Sequence, residues 1–220
     1  MNIRLSIPAL AAAAACWIAL PAASAEAEFA RALYDIQQEW AAANYHTGSK
    51  DERRAAFDRL VEHSASLAER YAGEPAAIAW DGIVLSTYAG VVGKLSAMRY
   101  AKAAREQLHR AEAMEPAALA GGIYASLGAL YSKVPGGFIG FGDDELAEQY
   151  FRKALDVDKT NLDSNYFYGE FLLEHGRTIE AVRHLKRALE APPVDGRPVF
   201  DAGRRAEARA LLERAYRSLS

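Results

Sequence analysis

The sequence predicts an all-α fold: a right-handed stack of antiparallel helix hairpins, with a helix pair before it and a capping helix after it. Three observations lead to this prediction. Hydrophobic residues make up 51% and charged residues 25% of the chain, a composition typical of amphipathic helices. A pattern of alanines around one large apolar residue recurs with a 34-residue period. Glycines and prolines stand where this pattern would end its helices.

The first 25 residues have the pattern of a secretory signal peptide. Arg4 precedes an apolar run, 5–20, and Ala23-Ser24-Ala25 supplies the small residues of a cleavage site. We therefore expect cleavage after Ala25 and a periplasmic mature chain. The alternatives are an uncleaved membrane anchor and a lipoprotein attached through Cys16, although the usual leucine before a lipid-modified cysteine is missing. Cys16 is the only cysteine, so the mature chain is expected to lack disulfides and thiol nucleophiles.

The charge balance argues against two classes of partner. The chain carries 26 basic and 29 acidic residues, a formal net charge of −3. Such a surface offers little electrostatic attraction for nucleic acid or for an anionic membrane. We therefore expect neither nucleic acid nor an anionic membrane as a partner.

One helical pattern occurs three times. Two alanines seven positions apart flank a large apolar residue, and the three share one helix face. The copies are Ala104, Leu108 and Ala111, then Ala147, Phe151 and Ala154, then Ala181, Leu185 and Ala188. Small residues on this face let another helix approach closely. Each copy is therefore predicted to be the second helix of a hairpin.

Residues 162–195 resemble the tetratricopeptide-repeat (TPR) family. The residues on its signature positions are Tyr168, Gly169, Leu172, Gly176, Ala181, Leu185, Ala188 and Pro193. Gly169 is expected where two helices cross closely, and Gly176 in a left-handed turn. Pro193 is expected to stop the last helix of the unit. The resemblance implies one domain, 26–220, that contains repeats at about 75–117, 118–161 and 162–195.

Further helices are predicted on both sides of the repeats. Ala27 to about Tyr45 and Asp51 to about Tyr71 read as an amphipathic pair. A last helix, 198–219, is expected to cover the open end of the stack. Its predicted apolar face consists of Ala206, Ala210, Leu211 and Tyr216.

A glycine-rich segment, 132–143, lengthens the second repeat. It mixes glycines with Phe138, Ile139 and Phe141, which is unusual for a solvated loop. The segment could be a lid over a groove, a contact with a neighbouring subunit, or an inward-packed connector. Asp143 or Asp144 is expected to cap the helix that follows.

The glycine-rich run 135–143, the helix with Ala147 to Ala154 and the tyrosine-rich stretch 165–172 are together similar to the TatT-type component associated with bacterial TRAP transporters. The similarity covers about residues 75–215. It implies a periplasmic, often lipid-anchored protein that docks the substrate-binding subunit of a transporter. It also implies a pore for an apolar or organic-acid ligand, and association as trimers. The weak lipidation signal at Cys16 departs from this family.

In a TPR array the first helices of successive repeats line a concave surface. By alignment to the repeat, the residues expected there are Ile123, Leu127, Tyr131, Tyr166, Glu170 and Glu174, joined by Phe138 and Phe141 of the loop. This mixed aromatic and acidic strip predicts a site for an extended peptide, a helix or an organic ligand. Ordinary packing between repeats is the alternative for its tyrosines and leucines.

No group of residues predicts catalysis, a metal site or a cofactor. The five histidines are scattered, and none pairs with a second ligand at metal-binding spacing. The sequence has no G-x-S-x-G motif, and its glycine-rich segment lacks the G-K-[ST] ending of a phosphate loop. The sequence therefore predicts a non-enzymatic periplasmic binding module, and the resemblance to TatT-type components implies that it is an accessory component of a TRAP-type transporter. The alternative is a scaffold for cell-envelope assembly that acts through protein–protein interaction.

Overall fold

The computed structural model describes residues 19–219, so Cys16 and most of the predicted signal peptide lie outside the described residues. This part of the chain is all-α, as predicted, and contains no β-strand. The helices are α1 (Ala19–Tyr45), α2 (Lys50–Arg70), α3 (Pro75–Val91), α4 (Lys94–Met114), α5 (Gly122–Lys133), α6 (Asp144–Val157), α7 (Leu162–Glu174), α8 (Thr178–Glu190) and α9 (Pro198–Arg217). Within 19–219, no helix combines the length and apolarity needed to span a membrane.

Three helix hairpins, α3–α4, α5–α6 and α7–α8, form the body of the stack. In each, a glycine of the first helix meets a large apolar side chain of the second. The pairs are Gly82 with Leu108, Gly128 with Phe151 and Gly169 with Leu185, and a Cβ on these glycines would lie 2.8, 2.7 and 2.8 Å from the partner. This confirms the close crossing predicted at Gly169. The helices approach because the glycines have no side chain there.

Local signals set the helix ends. Asp143 is the N-cap of α6, and its side chain accepts a hydrogen bond of 3.0 Å from the Leu146 amide. Asn161 caps α7 in the same way through the Ser164 amide. Gly176 has φ 73° in the turn between α7 and α8, which confirms its predicted left-handed conformation.

The start of the second hairpin contains a feature that the sequence did not predict. A short 3-10 helix, Ala118–Gly121, precedes α5, and Leu119, Ala120 and Gly121 have φ of 57°, 50° and 85°. Left-handed backbone is unfavourable for Leu and Ala because their Cβ approaches the following carbonyl. At Gly121 a Cβ would also lie 2.7 Å from the Ala154 carbonyl oxygen. The turn therefore brings α5 tightly against α6.

The last helix closes the stack against the first. α9 packs on α8, α7 and α1. Gln38 of α1 donates a hydrogen bond of 3.0 Å to the Gly196 carbonyl, and the Tyr45 hydroxyl bonds to Glu207 at 3.1 Å. A repeat array normally ends in free caps. Here its two ends meet, so the helices surround an interior space.

The predicted apolar face of α9 is wrong in register. Ala206, Ala210 and Tyr216 are exposed, and Leu211 is only partly buried. The buried residues of α9 are Phe200, Arg204, Ala208 and Ala215. Hydrophobicity alone could not identify this face because it includes an arginine, whose charge is balanced by carboxylates on α7 and α9.

Candidate functional site

A cavity of about 860 Å³ lies inside the closed stack and is the main candidate site. Its walls come from α1, α3, α4, α5, α7 and the start of α9, with Val134 and Pro135 at the base of the glycine-rich segment. Trp40 of α1 and Phe200 of α9 both contribute to the wall, and the cavity stays partly open to solvent. The site therefore depends on elements from both ends of the chain.

Two first helices contribute mostly small side chains to the cavity wall. Besides Trp80, the wall residues of α3 are Ile83, Ser86, Thr87, Ala89 and Gly90, and those of α5 are Gly122, Ala125, Ser126, Ala129, Leu130 and Lys133. Spacings of three and four residues place most of each set on one helix face. Short side chains leave space between the two helices, which accounts for the volume of the cavity.

An aromatic cluster forms another part of the wall. Trp40 of α1 lies 6.2 Å from Trp80 of α3 and 6.0 Å from Phe200 of α9, measured between ring centroids. The Trp40 indole donates a hydrogen bond of 3.0 Å to Thr87 Oγ1. Trp80 also lines the cavity, and its Nε1 has no hydrogen-bond partner among the described residues. This region offers apolar surface together with an unused N–H donor.

Arg204 is a buried cation in the wall that has partners. Its Nε lies 2.7 Å from Asp163 Oδ1 and its Nη1 2.7 Å from Glu207 Oε2. The guanidinium also stacks over Tyr166, 4.4 Å from the ring centroid. Burial alone would lower the pKa of Arg204, but Asp163, Tyr45 and Glu207 raise it above its usual range. Arg204 and Asp163 therefore form a structural ion pair.

Arg197 is a second cation in the wall, and it has no such partner. Its guanidinium lies between two aromatic rings, 4.0 Å from the Phe200 centroid and 5.0 Å from that of Trp80. Its Nε is buried without a hydrogen-bond partner among the described residues. Burial lowers the pKa of Arg197, and the charge of nearby Asp163 acts in the opposite direction. Arg197 is thus a partly buried cation held by aromatic contacts.

Among the other charged groups in the wall, some form ion pairs and one does not. Lys133 pairs with Glu170 at 3.2 Å and with Glu174 at 2.6 Å. Arg53 donates a hydrogen bond of 2.6 Å to the Asn44 side-chain oxygen, while its buried Nε has no partner within 19–219. The carboxylates of the wall are therefore used in ion pairs, and Arg53 and Arg197 are not.

The structure corrects the expected wall positions on α5. Ile123 and Leu127 are fully buried and Tyr131 is nearly so, and all three belong to the core between helices. The Tyr131 hydroxyl contacts His109 Nε2 at 3.0 Å, and its ring stacks on Tyr150. These residues do not line the cavity, because α5 turns the face with Ser126 toward the interior instead. Their part in partner binding stays a prediction.

The predicted residues on α7 are divided among three environments. Glu170 lines the cavity, as its predicted position implies. Tyr166 is buried under the Arg204 guanidinium and is not a wall residue. Glu174 lies outside the wall and binds Lys133, which is a wall residue. Only Glu170 of the predicted strip therefore lines the cavity directly.

Residues 136–143 of the glycine-rich segment do not line the cavity. Its base is closed by a hydrogen bond of 3.0 Å from the Gly142 amide to the Pro135 carbonyl. Phe141 packs inward, against the Tyr131 ring at 5.6 Å and under the Arg105 guanidinium. Phe138 is fully exposed and Ile139 is 77% exposed. The inward-packed interpretation therefore fits Phe141 but not the tip, and the lid and subunit-contact interpretations stay predictions.

Sequence reasoning missed the residues that distinguish this site: Trp40, Trp80, Arg197, Phe200 and Arg204. Only the small-residue stripes of α3 and α5 carried a periodic signal, since they repeat at helical spacing. Arg197 lies in a short connection between α8 and α9, where periodicity is not informative. Within the described residues, no three His, Cys, Asp or Glu side chains lie close enough to hold a metal ion.

Comparison with solved structures identifies the architecture. The chain is similar to TTC0263, a thermophilic TPR protein of Thermus thermophilus, with a TM-score of 0.54 and 17% sequence identity. The match covers 82% of this chain and 99% of that one. This chain has a TPR-like fold. At this identity the similarity concerns the fold alone, and no family model or curated protein matches the sequence.

Proposed function

We propose that this protein is a non-catalytic TPR-like binding module that holds a small organic molecule with an apolar body in its central cavity. The observation that carries the proposal is a cavity of about 860 Å³, partly open to solvent and lined in large part by small and aromatic side chains. Ligand pockets in proteins typically have volumes of about 300–1,000 Å³ and apolar walls with few polar groups. The cavity has these properties.

The chemistry of the wall favours binding over catalysis. Its two carboxylates, Asp163 and Glu170, are engaged with Arg204 and Lys133. A general acid or base needs a group that is free to exchange a proton with its substrate. The other wall cations are arginines, which do not titrate near neutral pH. These properties support a binding role.

The cellular role that we propose is periplasmic, as an accessory component of a TRAP-type transporter. The signal-like pattern of residues 1–25 and the similarity to TatT-type components support this role. Such a component would dock the substrate-binding subunit of the transporter, and trimeric association would follow that family. Affinity capture from periplasmic extract through a tag after Ser220 tests this role. Recovery of a solute-binding subunit supports it, and its reproducible absence from the captured proteins contradicts it.

Ligand binding can be tested with N-phenyl-1-naphthylamine, a neutral apolar probe whose fluorescence rises when it leaves water. The purified chain, freed of co-purified molecules by organic extraction, is expected to bind the probe at a single saturable site. Ser126→Phe places a large ring in the cavity and is expected to abolish binding. The matched control is Ser66→Phe on the exposed surface of α2, which should bind as the wild type does.

Two results would contradict this proposal. The first is wild-type protein that gives no saturable fluorescence change. The second is an unchanged affinity in Ser126→Phe, because a ring at this position cannot share the space with the probe. Circular dichroism of each variant establishes that its helical content is intact.

The second candidate function is a scaffold for cell-envelope assembly, and the exposed tip of the glycine-rich segment favours it. Phe138 and Ile139 present adjacent apolar side chains to solvent, which is unusual unless a partner covers them. A Phe138→Ser/Ile139→Ser variant should retain probe binding in the cavity. If the scaffold role is correct, this variant loses envelope-assembly proteins that the wild-type chain captures. Identical captured proteins would exclude the tip as the docking site.

A further inference from the structure

We propose that the exposed tip of the glycine-rich segment enters the surface of an anionic lipid bilayer, while cationic side chains of α4 contact the lipid head groups. This interaction goes beyond ligand binding in the cavity, and it uses a different surface of the molecule. The juxtaposition that supports it is an uncharged tip with two exposed apolar side chains, next to a row of cations without ion-pair partners among the described residues.

The tip presents a large apolar surface for its size. Five consecutive residues, 135–139, are exposed. Phe138 and Ile139 are the two most exposed of the large apolar side chains that the structure describes. No residue from 134 to 142 carries a charge. Adjacent apolar residues on a surface typically mark a contact with another protein or with a membrane.

Backbone contacts hold the tip in place. At its base the Gly142 amide donates a hydrogen bond of 3.0 Å to the Pro135 carbonyl. Gly140 packs closely against α4, since a Cβ there would lie 2.8 Å from Met98 Cε. A tip that is already ordered loses little conformational entropy when it enters another phase. The segment therefore presents its apolar side chains in a preorganised form.

The face of α4 that supports the segment is cationic. Lys94, Lys102 and Arg105 are four, four and seven residues from Met98, so all three share its helix face. The Arg105 guanidinium lies 4.1 Å from the ring centroid of Phe141, within the segment itself. Lys94 and Lys102 are exposed. Residues 82–105 include no acidic side chain.

These three cations are not neutralised by the protein. Lys133, at the start of the segment, pairs with Glu170 and Glu174, whereas the three cations of α4 form no ion pair with any described residue. The formal net charge of −3 argues against an anionic membrane, but it does not describe how the charge is distributed. Near an anionic bilayer each lysine or arginine strengthens binding by about fivefold.

Three acidic residues, 143–145, follow the segment, and two of them have partners at its base. Asp143 caps α6, and Asp144 contacts His175 Nε2 at 3.1 Å. Glu145 is the exposed acid that remains, against three unpaired cations. A protein pocket for the apolar tip would need no cations beside it, whereas an anionic bilayer attracts both parts of this surface. The combination therefore favours a lipid surface.

The test measures co-sedimentation of the chain with two kinds of vesicle, one of phosphatidylglycerol and phosphatidylcholine in equal parts and one of phosphatidylcholine alone. The chain is recovered in processed form from periplasmic extract, so that the apolar run 5–20 does not contribute. We expect saturable binding to the anionic vesicles that is about tenfold or more tighter than binding to the neutral ones. High salt should weaken it, because salt screens the attraction between the cations and the head groups.

Two double variants separate the apolar part of the interaction from the electrostatic part. Phe138→Ser/Ile139→Ser should weaken binding to anionic vesicles by about tenfold or more, because the apolar surface that enters the bilayer is lost. Lys94→Gln/Lys102→Gln should also weaken it by about tenfold or more, and should reduce its dependence on salt.

Each double variant has a matched control on another surface. Lys50→Gln/Lys159→Gln neutralises two exposed lysines, and Val157→Ser removes an exposed apolar side chain of α6. Both controls should bind anionic vesicles as the wild type does. All variants should retain binding of N-phenyl-1-naphthylamine when vesicles are absent, which reports on the cavity independently of the tip.

The proposal is overturned if the wild-type chain does not sediment with anionic vesicles, or if Phe138→Ser/Ile139→Ser sediments equally well. If wild-type protein ignores vesicles but this variant loses a captured protein, the tip docks on a protein and the lipid proposal is wrong. Neither result bears on the cavity. Failure of N-phenyl-1-naphthylamine to bind would instead contradict the proposed function and leave the lipid proposal intact.

Discussion

The first helices of the hairpins have small residues on two faces. One face packs closely against the second helix, and the other lines the cavity. On one face, Gly82, Gly128 and Gly169 each meet a large side chain of the second helix of the same hairpin. On the other face, Gly90 and Ser126 meet no such side chain and line the cavity. A small residue therefore produces close packing or open space depending on what lies opposite it.

This difference between the two faces explains why the cavity is not filled in the folded protein. Protein interiors are packed nearly as densely as organic crystals, so a space of this size persists only when the surrounding elements are held apart. The hairpins are held by their own glycine crossings, and the closure of α1 on α9 fixes the ring. The stability of the fold and the volume of the site thus come from opposite faces of the same helices.

The largest expected effect is on the packed face. Gly169→Leu should lower the free energy of unfolding by about 3 kcal/mol or more, because the added side chain overlaps Leu185. Gly90→Leu is the matched control, since a Cβ at Gly90 meets nothing within 4 Å. Its unfolding free energy should stay unchanged or rise by up to about 1 kcal/mol through helix propensity. Urea unfolding measures both, and similar losses in the two variants would refute the distinction between the faces.

The second prediction compares two arginines of the cavity wall. Arg204→Met leaves Asp163, whose Oδ1 is buried, without its ion-pair partner and should cost about 3 kcal/mol of unfolding free energy. Arg197→Met, in ligand-free protein, should cost less than about 1 kcal/mol or stabilise the fold, because it removes an unneutralised charge. Urea unfolding of extracted protein gives both values. If Arg197→Met lowers the free energy of unfolding as much as Arg204→Met does, the aromatic contacts of Arg197 serve stability rather than binding.

A smaller effect is expected at the left-handed turn before α5. Ala120→Gly should stabilise the fold by about 0.5–1 kcal/mol, because glycine adopts φ near 50° without the steric cost that alanine has. Ala117→Gly is the control, as Ala117 is exposed and has φ −91°. It should be neutral or slightly destabilising. If thermal unfolding shows that Ala117→Gly is more stable than Ala120→Gly, the backbone at Ala120 is not strained.

The last comparison concerns a dependence of stability on pH that arises in the packed interface of α7 and α8. Burial lowers the pKa of His184 from 6.5 to about 4, and its Nδ1 contacts the buried Asn165 side-chain oxygen at 3.0 Å. Between these two pKa values the unfolded chain takes up a proton that the folded chain does not. This contribution is therefore fully present above pH 6.5 and is lost as the pH falls toward about 4.

The measurement for His184 is the midpoint of urea unfolding between pH 7 and pH 4. His184→Gln should reduce the loss of stability over this interval, because glutamine does not titrate. His46→Gln, at an exposed position, serves as the control. A pH dependence that is the same in wild type and His184→Gln would show that other groups account for it.

Local sequence signals predicted most of the helices and their ends. The predicted start of the first repeat at about residue 75 agrees with the structure, as does the turn at Gly176, and of the two aspartates expected to cap α6 it is Asp143 that does so. These features depend on a few neighbouring residues whose conformational preferences act within one turn of helix. The close crossing expected at Gly169 came from its position in the repeat signature, and Gly169 and its contact Leu185 belong to one hairpin.

Other properties depend on contacts between distant parts of the chain. The face of α5 that lines the cavity was assigned to Ile123 and Leu127, but the structure assigns it to Gly122 and Ser126. Both faces of α5 are apolar or small, so composition could not distinguish core from cavity. The buried position of Arg204 was likewise unpredictable, since its partner Asp163 lies on another helix.

By itself the sequence determined the all-α class, the hairpin repeat and the close approach of helices within each hairpin. These follow from periodicity and from the conformational range of glycine, which are local properties. Only the tertiary structure decided that α9 meets α1, that the enclosed space is a cavity, and that Arg197 lies in its wall beside Trp80. Trp80 and Arg197 are far apart in the chain, and only the closure of the array brings them together.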